Sequence, residues 1–349
     1  MSYKPIKPKV VVLGCGWAGF RFAQDIDKNK FSVSLVSPRN HFLFTPLLPS
    51  TSVGTLEFRC IEEPVRAISG LHYTQATCDE IDFVHRKVHC TELYNRNNFS
   101  MSYDYLVMVL GSETNTYDVP GVYDNPRVFF LKQLHHARSI RNKLIESFER
   151  ASLPSVTKED RERLLTFVVV GGGPTNIEFS SELYDFLAED VARLYPDLFQ
   201  HVSVHIIEAT GQILGSFHAA LVKYVEKLFA SRAINMWLNT SVTGVEDGCI
   251  AVLDDGTRLP FGMMVWSTGI QQVPLVRNLP AAEFAKGCGG RLLVDDQLRV
   301  LAGPDVQQDP QLQTGCALLV GGGTVYAMGD CACNKLLPLP ALAQVRCMY

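Results

Sequence analysis

One arrangement occurs twice in this chain and limits what it can fold into. "KVVVLGCGWAGF" near the start and "LTFVVVGGGPTNIEF" near the middle each run from a β-branched strand into clustered glycines and then into a helical pattern. In an α/β protein this is a parallel strand turning into a helix whose N-terminus can hold a pyrophosphate. Two such units in one chain predict two Rossmann-like dinucleotide-binding domains and therefore two dinucleotides. Hydride chemistry makes these NAD(P)H and FAD.

In the first copy Gly14, Gly16 and Gly19 satisfy G-x-G-x-x-G. The three serve the tight turn, the approach of backbone to phosphate, and helix–strand packing, respectively. A second strand, "FSVSLVS", ends at Ser37, where an acidic ribose ligand is usual. In the second copy Gly171, Gly172 and Gly173 are present, but Asn176 occupies the third motif position and is expected to push helix and strand slightly apart. Its second strand, "HVSVHIIE", ends at Glu208, placed to bind a ribose 2′-OH and to repel a 2′-phosphate; no arginine follows in "EATGQ". NADH is therefore expected over NADPH, and FAD over FMN. Glu178 in the first turn of the same helix complements the helix dipole or faces the nicotinamide.

The 349 residues, 47% hydrophobic and 19% charged with a formal charge of −4, are ordinary for a two-domain globular protein and exclude a general nucleic-acid binder. The ten cysteines are scattered without a C-x-x-C, which points to reduced thiols rather than a disulfide framework. No apolar run is long enough to span a bilayer. The basic stretch with Lys4, Lys7 and Lys9 is too short for a mitochondrial presequence.

Between the copies, "YDYLVMVLGSETN" ends a strand at Gly111, and "YDVPGV" makes a crossing between domains. An amphipathic helix is predicted over 133–150, with Ile140, Leu144, Ile145 and Phe148 on one face. "CIAVLDDGTRL" predicts a hairpin around Asp255-Gly256, and "MMVWSTG" a buried strand ending in Gly269 at the second crossing. "TVYAMGD" returns as a strand presenting Gly329 and Asp330. The second domain is thus inserted in the first, with residues 1–118 and 285–349 forming one and 119–284 the other. The stretch 275–315 is the least readable.

The motifs "VVLGCGWAGF", "VSPRNHFLFTPLLPSTSVGTLE", "YDYLVMVLGSETNTYDVPGV", "SIRNKLIESFERASLP", "FVVVGGGPTNIEFSSEL", "YAMGDCA" and "LPALAQV" occur in order from near residue 10 to residue 345. Together they resemble the type II (alternative) NADH dehydrogenases, the single-subunit NADH:quinone oxidoreductases. That resemblance implies a two-dinucleotide-binding-domain flavoprotein with the NADH domain inserted in the FAD domain. FAD would lie on Gly14, Gly16, Trp17, Ala18 and Gly19, with Ser37, Pro38 and Arg39 replacing the acidic ribose ligand. Thr45 and Pro46 would pass near the flavin, and Gly329 and Asp330 would bind its ribitol side. NADH would use Gly171, Gly172, Gly173, Pro174, Thr175, Glu178, Glu208 and the turn Ser267, Thr268, Gly269. Gln344, from an A-Q-x-A-x-Q motif, would sit where quinone arrives. Arg346 and Met348 depart from that motif.

The resemblance further implies NADH and a quinone as substrates and no metal. It places the family peripherally on the mitochondrial inner membrane, and it leaves homodimerisation open. The chain closes on "GDCACNKLLPLPALAQVRCMY", in which Ala343-Gln344-Val345 reads as the first turn of a helix. The family continues beyond this point with the rest of the flavin domain and amphipathic helices, so a truncated chain that reduces its flavin but is a poor quinone reductase is the expectation. Two alternatives stand beside full activity: a nucleotide-binding flavoprotein with little turnover, and a soluble or sulfide-oxidising relative in which distant cysteines such as Cys60 and Cys78 meet in space.

Overall fold

The computed structural model describes residues 6–304 and 319–334. Along the chain run β1 (Lys9–Leu13), α1 (Trp17–Asp25), β2 (Ser32–Val36), α2 (Leu48–Val53), β3 (His72–Thr74), β4 (Tyr105–Met108) and β5 (Val128–Phe130). There follow α3 (Leu134–Ala151), β6 (Thr166–Val170), α4 (Pro174–Phe186), β7 (Ser203–Glu208), β8 (Asn235–Leu238), β9 (Met263–Trp266) and β10 (Val325–Ala327), besides shorter elements. The chain forms two compact units, one of residues 1–43, 62–113 and 271–349, the other of residues 44–61 and 114–270.

The first unit is built on a parallel sheet of order β10-β4-β1-β2-β3. The second has a parallel sheet of order β5-β9-β6-β7-β8. In both, the order reverses beside the strand that carries the glycines, β1 or β6. Ligands of open α/β sheets bind at such a switch point, outside the carboxyl ends of the strands. The central strands are apolar on both faces, as parallel strands covered by helices must be: Val168 and Val169 in β6 and Val12 and Leu13 in β1 have no exposed surface.

Along the chain the second unit interrupts the first, with crossings at 113/114 and 270/271, earlier than the expected 118/119 and 284/285. Residues 44–61, expected in the first domain, belong to the second unit. Here α2 lies against α3 and α4. Glu182 of α4 accepts hydrogen bonds from Ser50 Oγ at 2.9 Å and Thr55 Oγ1 at 2.7 Å, while Arg141 of α3 donates to the Val53 carbonyl. These side-chain partners are long-range, so strand and helix periodicity could not place the segment.

Helix α3 buries Ala137, Ile140, Leu144, Phe148 and Ala151, spaced as one helical stripe. Ile145 is 43% exposed, contrary to expectation, because one residue beyond Leu144 the helix has turned off that stripe. The expected hairpin forms between Ile250–Leu253 and Arg258–Pro260, with Val242–Glu246 as a third strand.

The start of α3 depends on a neutral histidine. His136 Nδ1 accepts from the backbone N–H of Lys132 and of Gln133, each at 3.2 Å. Burial, and secondarily the His135 charge, push its pKa down to about 4 from 6.5. A base whose folded pKa lies below its unfolded value contributes stability above the unfolded pKa and loses it as pH falls toward the folded one. The thermal midpoint should therefore decline between about pH 6.5 and pH 4 with a component that His136→Gln flattens. Thermal melts of both proteins across that window check this; parallel profiles would refute it.

Candidate functional site

At the carboxyl end of β1 the chain turns through Gly14 at φ +112, a conformation L side chains rarely adopt. A methyl group there would stand 2.3 Å from the Val109 carbonyl oxygen. The Gly14 N–H donates to Val36 O at 2.9 Å, which pins the turn to β2. A Cβ on Gly19 would meet the Gly14 carbonyl oxygen at 2.1 Å, so α1 can approach β1 only through glycine. Gly16 is different: a Cβ there would meet nothing nearer than Arg39 Nη2 at 3.7 Å, leaving its backbone open to a ligand. Gly16 is the N-cap of α1, so no side chain caps the first-turn N–H groups, as an anion site requires.

The loop after β2 closes over this turn. Ser37 is 4% exposed and its hydroxyl is committed: it donates to Cys15 Sγ and accepts from Arg39 N–H, both at 3.2 Å. The buried Cys15 thiol lies 3.0 Å from Arg39 O and 3.2 Å from His41 O. Ser37 thus shapes the loop rather than presenting its own oxygen, and the nearby cation is the Arg39 guanidinium. The exposed Pro38 offers its carbonyl to Gln75 Nε2 at 3.0 Å. Trp17, opening α1, packs edge-on against Phe42, with centroids 5.0 Å apart.

Beyond β10, Gly329 faces α1, its added Cβ 3.6 Å from that of Ala18. Asp330 follows, 4% exposed; Oδ2 accepts from Ser112 Oγ at 2.7 Å, and its backbone carbonyl accepts from Gln272 Nε2 at 3.1 Å. The Gly14–Gly19 turn, the Ser37–Arg39 loop and Gly329-Asp330 therefore meet at one end of one sheet. Thr45 and Pro46 open a short helix that leads into α2 of the second unit.

The second cradle repeats the plan with different chemistry. Gly171 at φ +107 would bring a Cβ 2.8 Å from Ser267 O and 3.1 Å from Thr268 Cα, so the glycine turn and the 267–269 turn touch. A Cβ on Gly173 would meet nothing within 4 Å, again leaving backbone open at a helix N-cap. Pro174 is the first residue of α4, where its missing N–H costs nothing, and Thr175 follows it. Asn176 corrects the sequence expectation. It has no exposed surface, and Nδ2 donates to Val170 O at 2.7 Å and Gly171 O at 2.8 Å. It ties the helix to the strand where glycine would only permit their approach.

Glu208 stands at the end of β7, as expected. One carboxylate oxygen accepts from the Gly172 N–H; the other accepts from Thr210 N–H at 2.8 Å and Thr210 Oγ1 at 2.7 Å. The Ser267–Gly269 turn is anchored by a residue that motif reading missed. The Asn115 carbonyl accepts from Thr268 Oγ1 and Trp266 Nε1, both at 3.0 Å, and the Asn115 N–H donates to Gly269 O at 3.0 Å. Glu178 lies on the exposed side of α4 but, contrary to expectation, just past its first turn, because the helix begins at Pro174. Partial desolvation, and then the Glu182 charge, raise its carboxyl above the ordinary range. Gln344 lies outside the described residues. Among the described residues no group of three or more His, Cys, Asp or Glu could hold a metal, and no helix is long and apolar enough to cross a membrane.

Two parallel sheets, each with an open glycine turn at its switch point, one unit inserted in the other, define a two-dinucleotide-binding flavoprotein. Residues 8–346 match the pyridine nucleotide-disulphide oxidoreductase family. A probable NADH dehydrogenase of Dictyostelium discoideum is 44% identical over 97% of this chain and 70% of its own length. A mitochondrial external alternative NAD(P)H-ubiquinone oxidoreductase of Arabidopsis thaliana is 38% identical over 93% of this chain and 54% of its own. Among solved structures, NDH2 of Plasmodium falciparum in complex with NADH superposes with a TM-score of 0.85 at 30% identity, covering 95% of this chain and 65% of that one. The chain belongs to the pyridine nucleotide-disulphide oxidoreductase family and, within it, to the type II NADH dehydrogenases.

Proposed function

We propose that this chain is an NADH:quinone oxidoreductase with FAD and NADH as its cofactors. The observation that carries the reading is the pair of glycine cradles, each at its own switch point and each with a different strand-end partner. In the first unit the N–H groups of the Gly14–Gly19 turn and the start of α1 hold the FAD pyrophosphate, with the Arg39 guanidinium adding positive charge beside Gly16. Asp330, held by Ser112, fixes the ribitol side next to Gly329. In the second unit Gly171–Thr175 and the start of α4 hold the NADH pyrophosphate, and Glu208 receives the ribose 2′-OH. The Asn115-anchored turn Ser267–Gly269 and the Glu178 carboxyl line the nicotinamide end. Bound there, FAD would supply the redox chemistry between NADH and a quinone; positioning is what the protein adds. Gln344 is assigned to the quinone side by family resemblance. Because relatives from Arabidopsis thaliana and Saccharomyces cerevisiae are named as mitochondrial, we place the protein in mitochondria, and by family resemblance peripherally on the inner membrane.

The test is spectroscopic and then kinetic. The purified chain should be yellow, bleach with NADH, and oxidise NADH in the presence of a water-soluble quinone. Colourless protein, or flavin that NADH does not reduce, would overturn the reading; bleaching without quinone turnover would confine it to flavin reduction.

Nucleotide preference supplies a sharper result. With Glu208→Gln the repulsion of a 2′-phosphate disappears, and the one amide oxygen keeps the hydrogen bonds from Thr210 or the one from Gly172 but not both. The ratio of flavin-reduction rates, NADH over NADPH, should narrow by roughly tenfold, since a relieved like-charge contact is worth about 1–2 kcal/mol. A wild-type protein indifferent to the two nucleotides would show that Glu208 does not read the ribose.

A further inference from the structure

The first unit carries a three-stranded antiparallel sheet, Ala76–Asp82, Lys87–Glu92 and Asn98–Ser102, that the cofactor reading leaves unused. In it Cys78 and Cys90 are direct cross-strand partners. Residues opposite each other in antiparallel strands project to the same face with Cβ atoms about 4.5–5.5 Å apart, and a disulfide asks for about 3.5–4.5 Å. The small approach needed is available, because the register shifts by a bulge immediately after Cys78, between it and Glu80. The thiols already interact: a hydrogen bond between them is the first influence on each, making Cys90 more acidic and Cys78 less acidic. Cys90 therefore gives up its proton before Cys78, and the remaining proton lies in the hydrogen bond between the two sulfurs. Cys90 is 1% exposed and seated among Val88, Tyr103 and Leu106 in the core, whereas Cys78 is half-buried and open to small solutes.

We propose that Cys78 and Cys90 are a reversible dithiol–disulfide site, oxidised by hydroperoxides. Cys78, the sulfur with solvent access, passes its proton to the Cys90 thiolate and, as the thiolate, is converted by hydrogen peroxide to its sulfenic acid, the displaced hydroxide taking up that proton as water. The Cys90 sulfur then attacks the Cys78 sulfur, the S–S bond forms, and the hydroxyl leaves as a second water; two thiols are oxidised and one peroxide is reduced. The site is joined to the first cradle through two residues of chain. Ala76, at the start of the same strand, donates its N–H to Ser37 O at 3.3 Å, and Ser37 organises Cys15 and Arg39. Oxidation therefore stiffens a strand that backs the nucleotide loop.

The full chain, exposed to hydrogen peroxide, alkylated and peptide-mapped, decides the matter. The expected result is a Cys78–Cys90 cross-linked peptide, the loss of both as alkylatable thiols, and their return with dithiothreitol. Cys60 and Cys288, both exposed, serve as internal controls for reagent access. In Cys78→Ser, Cys90 should stay alkylatable after unfolding at the same peroxide dose, and because position 78 is only half-buried this variant should fold. Three outcomes overturn the proposal: both thiols intact while the controls are oxidised, Cys78 driven to sulfinic or sulfonic acid with Cys90 free, or either cysteine cross-linked elsewhere.

Discussion

Gly14→Ala should yield a folded protein that has lost its flavin. The added methyl would stand 2.3 Å from the Val109 carbonyl oxygen. That carbonyl cannot retreat easily, because Val109 is held by its own N–H to Leu13 O at 3.0 Å beside the central strand. The residue would also have to leave φ +112, an adjustment of the kind that costs about 1–3 kcal/mol. The chain's cheapest response is to rotate the turn, and rotation takes the N–H groups away from the pyrophosphate. Hydrogen bonds to a charged group contribute about 1.5–3 kcal/mol each, so losing two weakens FAD binding by roughly 10²–10⁴-fold. Gly16→Ala separates cause from effect, since its methyl would meet only the mobile end of Arg39 at 3.7 Å. There the thermal midpoint of the apoprotein should be unchanged while FAD affinity still falls. Fluorescence titration with FAD measures both variants; wild-type affinity in Gly14→Ala would remove this turn from the cofactor site.

Asn176→Asp should destabilise the second unit more than any surface change could. Both hydrogens of Nδ2 are used, on Val170 O and Gly171 O, and the side chain has no contact with solvent. A carboxylate would set an unpaired charge against two carbonyl oxygens, a loss of about 3–5 kcal/mol. For a unit of this size the thermal midpoint should fall by on the order of 10 °C. The carboxyl would take up a proton to relieve the contact, so its folded pKa would rise above the unfolded value. The penalty should then be small below about pH 4 and grow as pH rises through the folded pKa. Asn176→Gly restores the usual residue of the motif and should cost about 1–3 kcal/mol without that pH dependence. Urea denaturation at several pH values, with NADH affinity measured in parallel, distinguishes the two. An Asp variant as stable as wild type at neutral pH would mean that Asn176 is not the tie described.

Some of this is legible in the sequence alone. Gly14, Gly19 and Gly171 announce their roles because backbone sterics act over a few bonds: only glycine accepts such φ values and such close approach. The β-branched runs before them and Glu208 at a strand end follow from the local periodicity of a βαβ unit. The committed hydroxyl of Ser37 was not legible, because its partner Cys15 lies in the interior of the first motif, where the pattern allows any residue. Likewise Asp330 stood out by its motif, but Ser112, which holds it, is 218 positions away.

The sequence by itself determined the two parallel sheets, the order of their cradles and the insertion of one unit in the other, since each depends on short-range pattern and chain order. Only the tertiary structure decided that Asn176 binds helix to strand instead of separating them, since a buried amide is judged by the acceptors it meets. It also decided that residues 44–61 belong with α3 and α4, through Glu182 and Arg141, and that Asn115 anchors the turn after β9. Cys78 gained its partner the same way: Cys90 is opposite it by strand register, and register is set by the pairing of whole strands rather than by the residues near either cysteine.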